Sequence, residues 1–486
     1  MSPRATRADL RAFLRAALLL AGASPALAQP PQSAIYTPGA LRPHQQLARA
    51  IYKELIEINT GVTSGNITLA AVAMAKRFKD AGIPDSDIFV GGPRPEKHNV
   101  VARIRGRNSG RRPVILLAHI DVVEALKADW SADLDPFVFT ERDGYYYGRG
   151  TADDKAMASI FVANAFRLKQ EGYVPDRDII IALTADEESG SFNGVDWLLR
   201  NHPGLVDGAL VINEGGGGVL RDGMPFFNSV QATEKITTNF TIRVTNRGGH
   251  SSVPRADNAI YSLAAALGKV AAHRFPIKLN EVTRQFFSRT AVLEGPEMGV
   301  SMRALVANPA DPGAIRVVTA DPRYNAMLRT TCVPTGLSGG HATNALPQLA
   351  EANVNCRLYP DETAEQVRDT LARVVGDTTV KVLVRTQRPP SPPTALLPEV
   401  MQPVERITRE LFGDIPVIPV MSTGATDSRF FRQRGVPALG VSGLFLDPSV
   451  DARQHGRDER MRIQSYYEGQ EFLYRLTKAL TQPGVP

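Results

Sequence analysis

Three short apolar runs in this chain end in residues that carry charge or bind metals, and that pattern constrains the fold more than any other. Residues 114–118 run into His119, residues 178–184 into Ala185-Asp186-Glu187-Glu188, and residues 209–212 into Asn213-Glu214. Runs this short and this apolar read as strands buried on both faces. Helical periodicity over residues 155–170 and 194–200 lies between them, so strand and helix alternate. Alternation of this kind predicts an α/β fold, a mostly parallel sheet flanked by helices.

Helical patterns over residues 45–58 and 66–81 precede these runs, and a helix over 399–411 with a strand over 438–442 follows them. From about Lys235 the pattern changes. Residues 236–244, 329–336 and 352–358 alternate apolar and polar side chains, with a helix over 258–273 among them. Such alternation predicts an antiparallel sheet with one solvated face. Residues 387–393 carry four prolines and read as a linker. We therefore expect a first domain over residues 40–234, resumed over 388–486, and interrupted by an inserted α+β domain over 235–387. A chain of 486 residues has room for two such cores.

The N-terminus reads as an export signal. Arg4, Arg7, Arg11 and Arg15 precede an apolar stretch over residues 16–23, and Ala26-Leu27-Ala28 supplies the small-residue cleavage pattern. Cleavage after Ala28 would send the protein to the periplasm or outside the cell; an amphipathic helix that stays attached is the alternative. No run approaches the ~20 apolar residues of a membrane span. Four Arg and one Asp in residues 1–28 account for +3 of the net charge of +6. The remainder is too small to point to nucleic acid or a membrane surface. Two cysteines, Cys332 and Cys356, are too few for a thiolate metal site. They flank one loop in strand-like segments, which leaves both a disulfide and two free thiols open.

The ionisable residues collect where the predicted parallel strands end, the edge at which open α/β sheets bind ligands. His119 and Asp121 follow the first strand, Asp153 and Asp154 follow Gly150-Thr151-Ala152, Glu187 and Glu188 follow the next strand, and Glu214 the one after. Singly, each has an ordinary explanation: Asp154 as a helix N-cap, or Glu187-Glu188 as negative charge at a helix start. Together, carboxylates crowded at one edge repel unless cations hold them. With His they form a donor set suited to divalent metal, zinc above others.

Seven segments in order carry a resemblance to a known family. They are Ala118-His119-Ile120-Asp121, Tyr147-Gly148-Arg149-Gly150-Thr151-Ala152-Asp153-Asp154-Lys155, Asp186-Glu187-Glu188-Ser189-Gly190, Glu214-Gly215, Gly249-His250-Ser251-Ser252-Val253-Pro254, Asn344-Ala345-Leu346-Pro347 and His455-Gly456-Arg457-Asp458-Glu459. The chain resembles the two-zinc family of aminoacylase, glutamate carboxypeptidase, carnosinase-type dipeptidases and succinyl-diaminopimelate desuccinylase. The resemblance implies that His119 and Glu188 hold one Zn2+, that His455 and Glu214 hold the other, and that Asp153 bridges them. Co2+ or Mn2+ are possible substitutes. It implies that Asp121 orients the His119 ring, that Glu187 is the general base, and that a hydroxide between the metals attacks the amide. Two Zn2+ against three carboxylates and that hydroxide make a neutral cluster, which a partly dry cleft tolerates.

The same resemblance makes the insert a lid and dimerisation domain. His250 then reaches the active site of a partner subunit and stabilises the oxyanion, which requires a homodimer. Asn344, Arg357 and Arg429 match substrate-contacting positions, and a bidentate arginine suits a substrate carboxylate; structural salt bridges are the alternative for the arginines. The expected activity is metallopeptidase cleavage of short peptides, as an exopeptidase or dipeptidase. An N-acyl-amino-acid deacylase is the alternative with the same machinery. A non-catalytic binding protein on this fold would require a lost ligand or base, and none is lost.

Overall fold

A computed structural model describes residues 35–108, 110–189, 191–386 and 388–483. The expected export signal lies outside the described residues. No described helix is long and apolar enough to cross a membrane.

The short apolar runs are the centre of a ten-stranded mixed sheet. Strand Val114–His119 pairs in parallel with Ile179–Thr184 on one side and with Leu210–Asn213 on the other. Ala438–Gly440 extends the parallel set beside Leu210–Asn213. Successive side chains of a strand point to opposite faces, so both faces need cover. Leu116, Ala118, Ile181 and Leu183 face a core with Tyr52, Phe78, Phe161 and Tyr466. Ile115, Leu117, Ile180 and Ala182 face a second core with Val195, Leu198 and Phe431. Helices Pro43–Glu57, Ile67–Asp80, Lys155–Gln170 and Ile463–Leu480 cover the first face, and Gly194–Asn201 and Ser428–Arg432 the second.

Six strands of the sheet carried no pattern in the sequence analysis, Met224–Glu234 and Val417–Ser422 among them. Met224–Glu234 and Val417–Ser422 pair in parallel toward one edge. Both contain proline, and Met224–Glu234 also carries five polar or charged residues, which blurs its apolar run.

A single residue, Lys235, separates Met224–Glu234 from Ile236–Thr245, the start of the second sheet. That sheet has four strands in the order Thr331–Gly339, Leu349–Leu358, Ile236–Thr245, Val380–Val384, all antiparallel. Burial along Leu349–Leu358 alternates strictly, as one solvated face requires. The buried face packs Phe240, Ile242 and Val354 under helices Ala259–Ala272 and Ala364–Val375. Cys332 and Cys356 stand opposite each other in register and form a disulfide. That resolves the choice between disulfide and free thiols.

The segment between these strands departs from a self-contained insert. Helices Glu281–Thr290, Pro296–Ala307, Pro312–Val318 and Pro322–Leu328 place Phe287, Met302 and Leu328 in the larger core, not under the second sheet. Their starts are locally encoded. Asn280, Asp311 and Asp321 each accept a backbone N–H at an N-cap, and three of the four helices begin on proline.

Candidate metal centre and active site

The parallel strands deliver their last residues to one edge of the sheet. His119 is the final residue of Val114–His119, with a side chain 2% exposed. Its Nε2 lies 2.9 Å from Asp153 Oδ1. Its Nδ1 lies 3.1 Å from the backbone carbonyl of Asp121. A carbonyl can only accept, so Nδ1 carries the proton and Nε2 is left with a lone pair for a cation.

The Asp121 carboxylate does something other than expected. Its Oδ1 stands 3.7 Å from His119 Nδ1, beyond hydrogen-bond range. Its two oxygens instead accept the backbone N–H groups of Glu187 and Glu188, at 3.1 and 3.0 Å. Asp121 therefore orients the ring through its main chain and fixes the Glu187-Glu188 backbone through its side chain. Burial pushes this carboxyl up to about 6.

Asp186 takes a left-handed backbone conformation, φ 61°. Its carboxylate holds the turn by accepting from Lys97 Nζ and from Phe192 N. Beyond that turn the two glutamates face different neighbours. Glu188 Oε1 lies 3.0 Å from His455 Nε2. Burial holds the Glu187 carboxyl well above the usual range, and Asp427 adds to it while His119 and Arg429 oppose it.

His455 has no strand to carry it. It sits in an irregular loop, with φ 62°, and its Nε2 lies 3.2 Å from Asp153 Oδ2. Asp153 thus presents Oδ1 to one histidine and Oδ2 to the other. The resemblance paired His119 with Glu188 and His455 with Glu214, but the contacts sort differently. Glu188 sides with His455, while the Glu214 carboxyl is raised by burial first, then by Asp153, with His119 as its opposing charge. His119, Asp153 and Glu188 still offer ligand atoms within 4.8 Å of one another, so the centre is compact.

The donor set fits cations. Asp154 Oδ2 and Glu188 Oε1 are buried without an aligned hydrogen-bond donor. The close carboxylates of Asp153 and Glu188 push His455 up to about 10, against the opposing effect of burial. Burial opposes charge on His119, yet Asp153, Asp121 and Glu187 together hold it well above its ordinary value. This excess of negative charge around the two imidazoles is what divalent cations would neutralise. Asp154 occupies the N-cap position of Lys155–Gln170, yet its side chain caps nothing. The capping explanation for that residue therefore fails.

Glu459 was quoted in the sequence only as the end of a motif, and it ties the two ligand loops together. Oε1 accepts from Ala152 N at 2.8 Å and Asp153 N at 3.2 Å. Oε2 accepts from Gly150 N at 3.1 Å and from Arg149 Nη1 at 2.7 Å. Arg149 also donates to Gly456 O at 2.9 Å. Gly150 is needed here. Its φ is 86°, and a Cβ would stand 2.8 Å from Val122 Cγ1. Below the clamp, Lys155 Nζ donates to Leu55 O and Ile58 O at 2.8 and 2.9 Å, satisfying carbonyls at the end of helix Pro43–Glu57. Replacing Glu459 by alanine should weaken metal binding roughly 10–100-fold, with glutamine recovering part of it. Metal content in buffers of controlled free metal checks this, and unchanged affinity would remove the role.

The remaining candidates fall into two places. Arg429 and Arg388 line one space between the two sheets, together with Glu234 and Thr237. Glu187, Asp427 and Arg357 are charged neighbours of Arg388. Arg357 also donates to Thr237 Oγ1 at 2.6 Å. Sequence reasoning missed Arg388 because it stands in the proline-rich segment read as a linker; its position before Pro389-Pro390 was the only local signal. His250 and Asn344 lie elsewhere. Strands Gly249–His250 and Ala345–Leu346 pair, Ser251 N donates to Asn344 O at 3.0 Å, and both side chains are exposed. His250 Nδ1 lies 2.8 Å from Ser252 Oγ, and none of its recorded contacts reaches the metal centre of its own chain.

Comparison with known proteins is consistent with this geometry. Peptidase family M20/M25/M40 matches over residues 115–479. Among curated relatives, human N-fatty-acyl-amino acid synthase/hydrolase PM20D1 is 29% identical, covering 78% of this chain and 76% of that protein. Probable carboxypeptidase S-like 2 of Dictyostelium discoideum is also 29% identical, over 87% of this chain and 86% of its own. Among solved structures, the M20 family metallo-carboxypeptidase Sso-CP2 from Sulfolobus solfataricus superposes with a TM-score of 0.68 at 18% identity, over 89% of this chain and 98% of that one. That last likeness concerns the fold.

Proposed function

The chain belongs to peptidase family M20/M25/M40 and is a metal-dependent hydrolase, and from this premise we propose that it cleaves the amide bond of short peptides as a two-zinc exopeptidase. One observation carries the reading: Asp153 faces His119 with one oxygen and His455 with the other. A carboxylate placed this way bridges two cations. His119 and Glu214 would hold one of them, and His455 and Glu188 the other.

Two bound zinc ions would polarise the amide carbonyl and acidify the attacking water. Glu187 would take the proton from that water and deliver it to the leaving amine, a task open to it because its charged neighbours are Asp427, His119, Glu188 and Arg429, and it makes no ion pair with either histidine among the described residues. Arg388 and Arg429, with no ion pair among the described residues, receive the substrate carboxylate beside Glu187. A free carboxylate belongs to a peptide C-terminus and equally to an N-acyl amino acid. The relative named N-fatty-acyl-amino acid synthase/hydrolase supports the second of these as an alternative substrate.

The partner-subunit role of His250 belongs to the same reading. Thr331–Gly339 is an edge strand; its Val333 and Leu337, and Tyr261 of the helix packed on it, are 58%, 72% and 64% exposed. An exposed edge with apolar side chains pairs readily with a second copy.

Metal analysis of gently purified protein should find two zinc per chain. Chelation should abolish cleavage of dipeptides and N-acetyl amino acids, and zinc should restore it. Substrates with an amidated C-terminus should be poor. Full activity after complete metal removal would overturn the proposal.

A further inference from the structure

Thr426, Asp427, Ser428 and Arg429 follow one another in the chain, and each reaches a different part of the site. Thr426 donates from its backbone N and its Oγ1 to Glu234 Oε2, at 3.0 and 2.7 Å. Asp427 Oδ1 accepts from Asn193 Nδ2 at 2.6 Å. Ser428 Oγ accepts from Asn213 Nδ2 at 3.0 Å. Arg429 lines the space between the two sheets with Arg388. Asn213 directly precedes Glu214, and Glu234 directly precedes Lys235, the link between the sheets.

Asp427 is the member that a purely local role does not explain. It occupies the N-cap position of helix Ser428–Arg432, yet its side chain caps nothing. It is 2% exposed, and its Oδ2 is buried without an aligned hydrogen-bond donor. Its partner Asn193 also caps helix Gly194–Asn201 by accepting from Asp196 N. Gly194 N donates to Ala185 O at 2.7 Å, so Asn193 stands at the exit of the turn that carries Glu187. Holding an amide there needs only a neutral acceptor. A buried carboxylate is far costlier than a neutral one and persists only where other charges oppose the cost.

Arg429 is the foremost charge that supports Asp427 against burial. Among the charges around Glu187, Asp427 acts most strongly, and it opposes the negative form. Arg388 has Arg429, Glu187, Arg357 and Asp427 as its charged neighbours. Arg388, Arg429, Glu187 and Asp427 are thus close enough to feel one another, yet no ion pair joins them among the described residues. A glutamate beside free guanidinium groups tends to pair with them. Such a pair would take Glu187 from the water and the arginine from the substrate. Asp427 works against it in two ways: its charge repels the Glu187 carboxylate and offsets the arginine that attracts it.

We propose that Asp427 is a positioning residue for Glu187: its charge keeps the Glu187 carboxylate at the metal edge and away from Arg388 and Arg429, and its bond to Asn193 anchors the turn that carries it. The proposal rests on the general-base reading of Glu187 and adds to it the residue that holds the base apart from the substrate arginines.

Asp427→Asn and Asp427→Ser both keep an oxygen that can accept from Asn193 and both remove the charge. In zinc-loaded protein each should lower kcat about 10–100-fold, the cost of a reacting group misplaced by about 1 Å. Zinc content should be unchanged and the thermal midpoint not lowered; a residue that only holds the fold would lower the midpoint instead. A double-mutant cycle shows whether the effect runs through Glu187. In the Glu187→Gln background the same substitutions should lower the residual kcat by less than about 2-fold. An equal loss in both backgrounds, unchanged kcat in both neutral variants, or failure of both to fold with zinc bound overturns the proposal and leaves the base reading standing. Unchanged kcat in Glu187→Gln itself overturns the base reading, and the positioning role with it.

Discussion

Glu187→Gln should lower kcat roughly 10²–10⁴-fold, the range of a lost general base, with both metal ions retained and KM little changed. Glutamine keeps the size and the backbone contacts, so the Asp121 carboxylate still accepts the N–H groups of residues 187 and 188. What disappears is an atom able to take a proton. Neither histidine approaches Glu187 as His455 approaches Glu188, at 3.0 Å, and for that reason metal should remain. The matching change at the neighbour should behave oppositely: Glu188→Gln weakens a metal position. Turnover near the wild-type rate would remove Glu187 from its role. Loss of metal in Glu187→Gln would make it a ligand.

His250→Ala should lower kcat by roughly 10²–10³-fold, as loss of an oxyanion donor does, without changing metal content. The exposed side chain rests only against its own loop, so the folded chain has little to lose from its removal. The decisive experiment mixes two inactive proteins. After subunit exchange, Glu187→Gln and His250→Ala chains form mixed dimers in which one site has both an intact Glu187 and a partner's intact His250. Random exchange in a symmetric dimer should therefore restore about a quarter of the wild-type sites. No recovery, with exchange verified by mass, would place His250 outside the catalytic machinery. Unchanged activity of His250→Ala alone would do the same.

Much of the site was legible because the relevant physics is local. A strand buried on both faces must be a short apolar run, and the residue that follows it stands at the sheet edge. This locates His119, Glu187, Glu188 and Glu214 without reference to the rest of the chain. The alternating pattern of residues 352–358 likewise announced a half-solvated strand, and Leu349–Leu358 is one. His455 lacks that kind of signal. It sits in an irregular loop with a left-handed backbone, and only its place in an ordered set of motifs marked it.

What escaped the sequence has one cause, contact between segments far apart in the chain. Glu188 meets His455 across 267 positions of sequence, so no spacing rule could pair them. Arg388 becomes a site residue only when the linker folds against Asp427 and Glu187. Glu459 is a clamp only because its loop returns to Gly150–Asp153. Helices Glu281–Thr290 and Pro322–Leu328 lie between strands of the second sheet in sequence, yet Phe287 and Leu328 join the larger core. Sequence alone determined which residues can bind metal and which edge of the sheet they reach, since period-two burial and strand ends are short-range properties. Tertiary structure alone decided which of these side chains approach each other and what Asp121 and Glu459 hold. Those outcomes depend on distances between loops that meet only when the sheet and both cores have assembled.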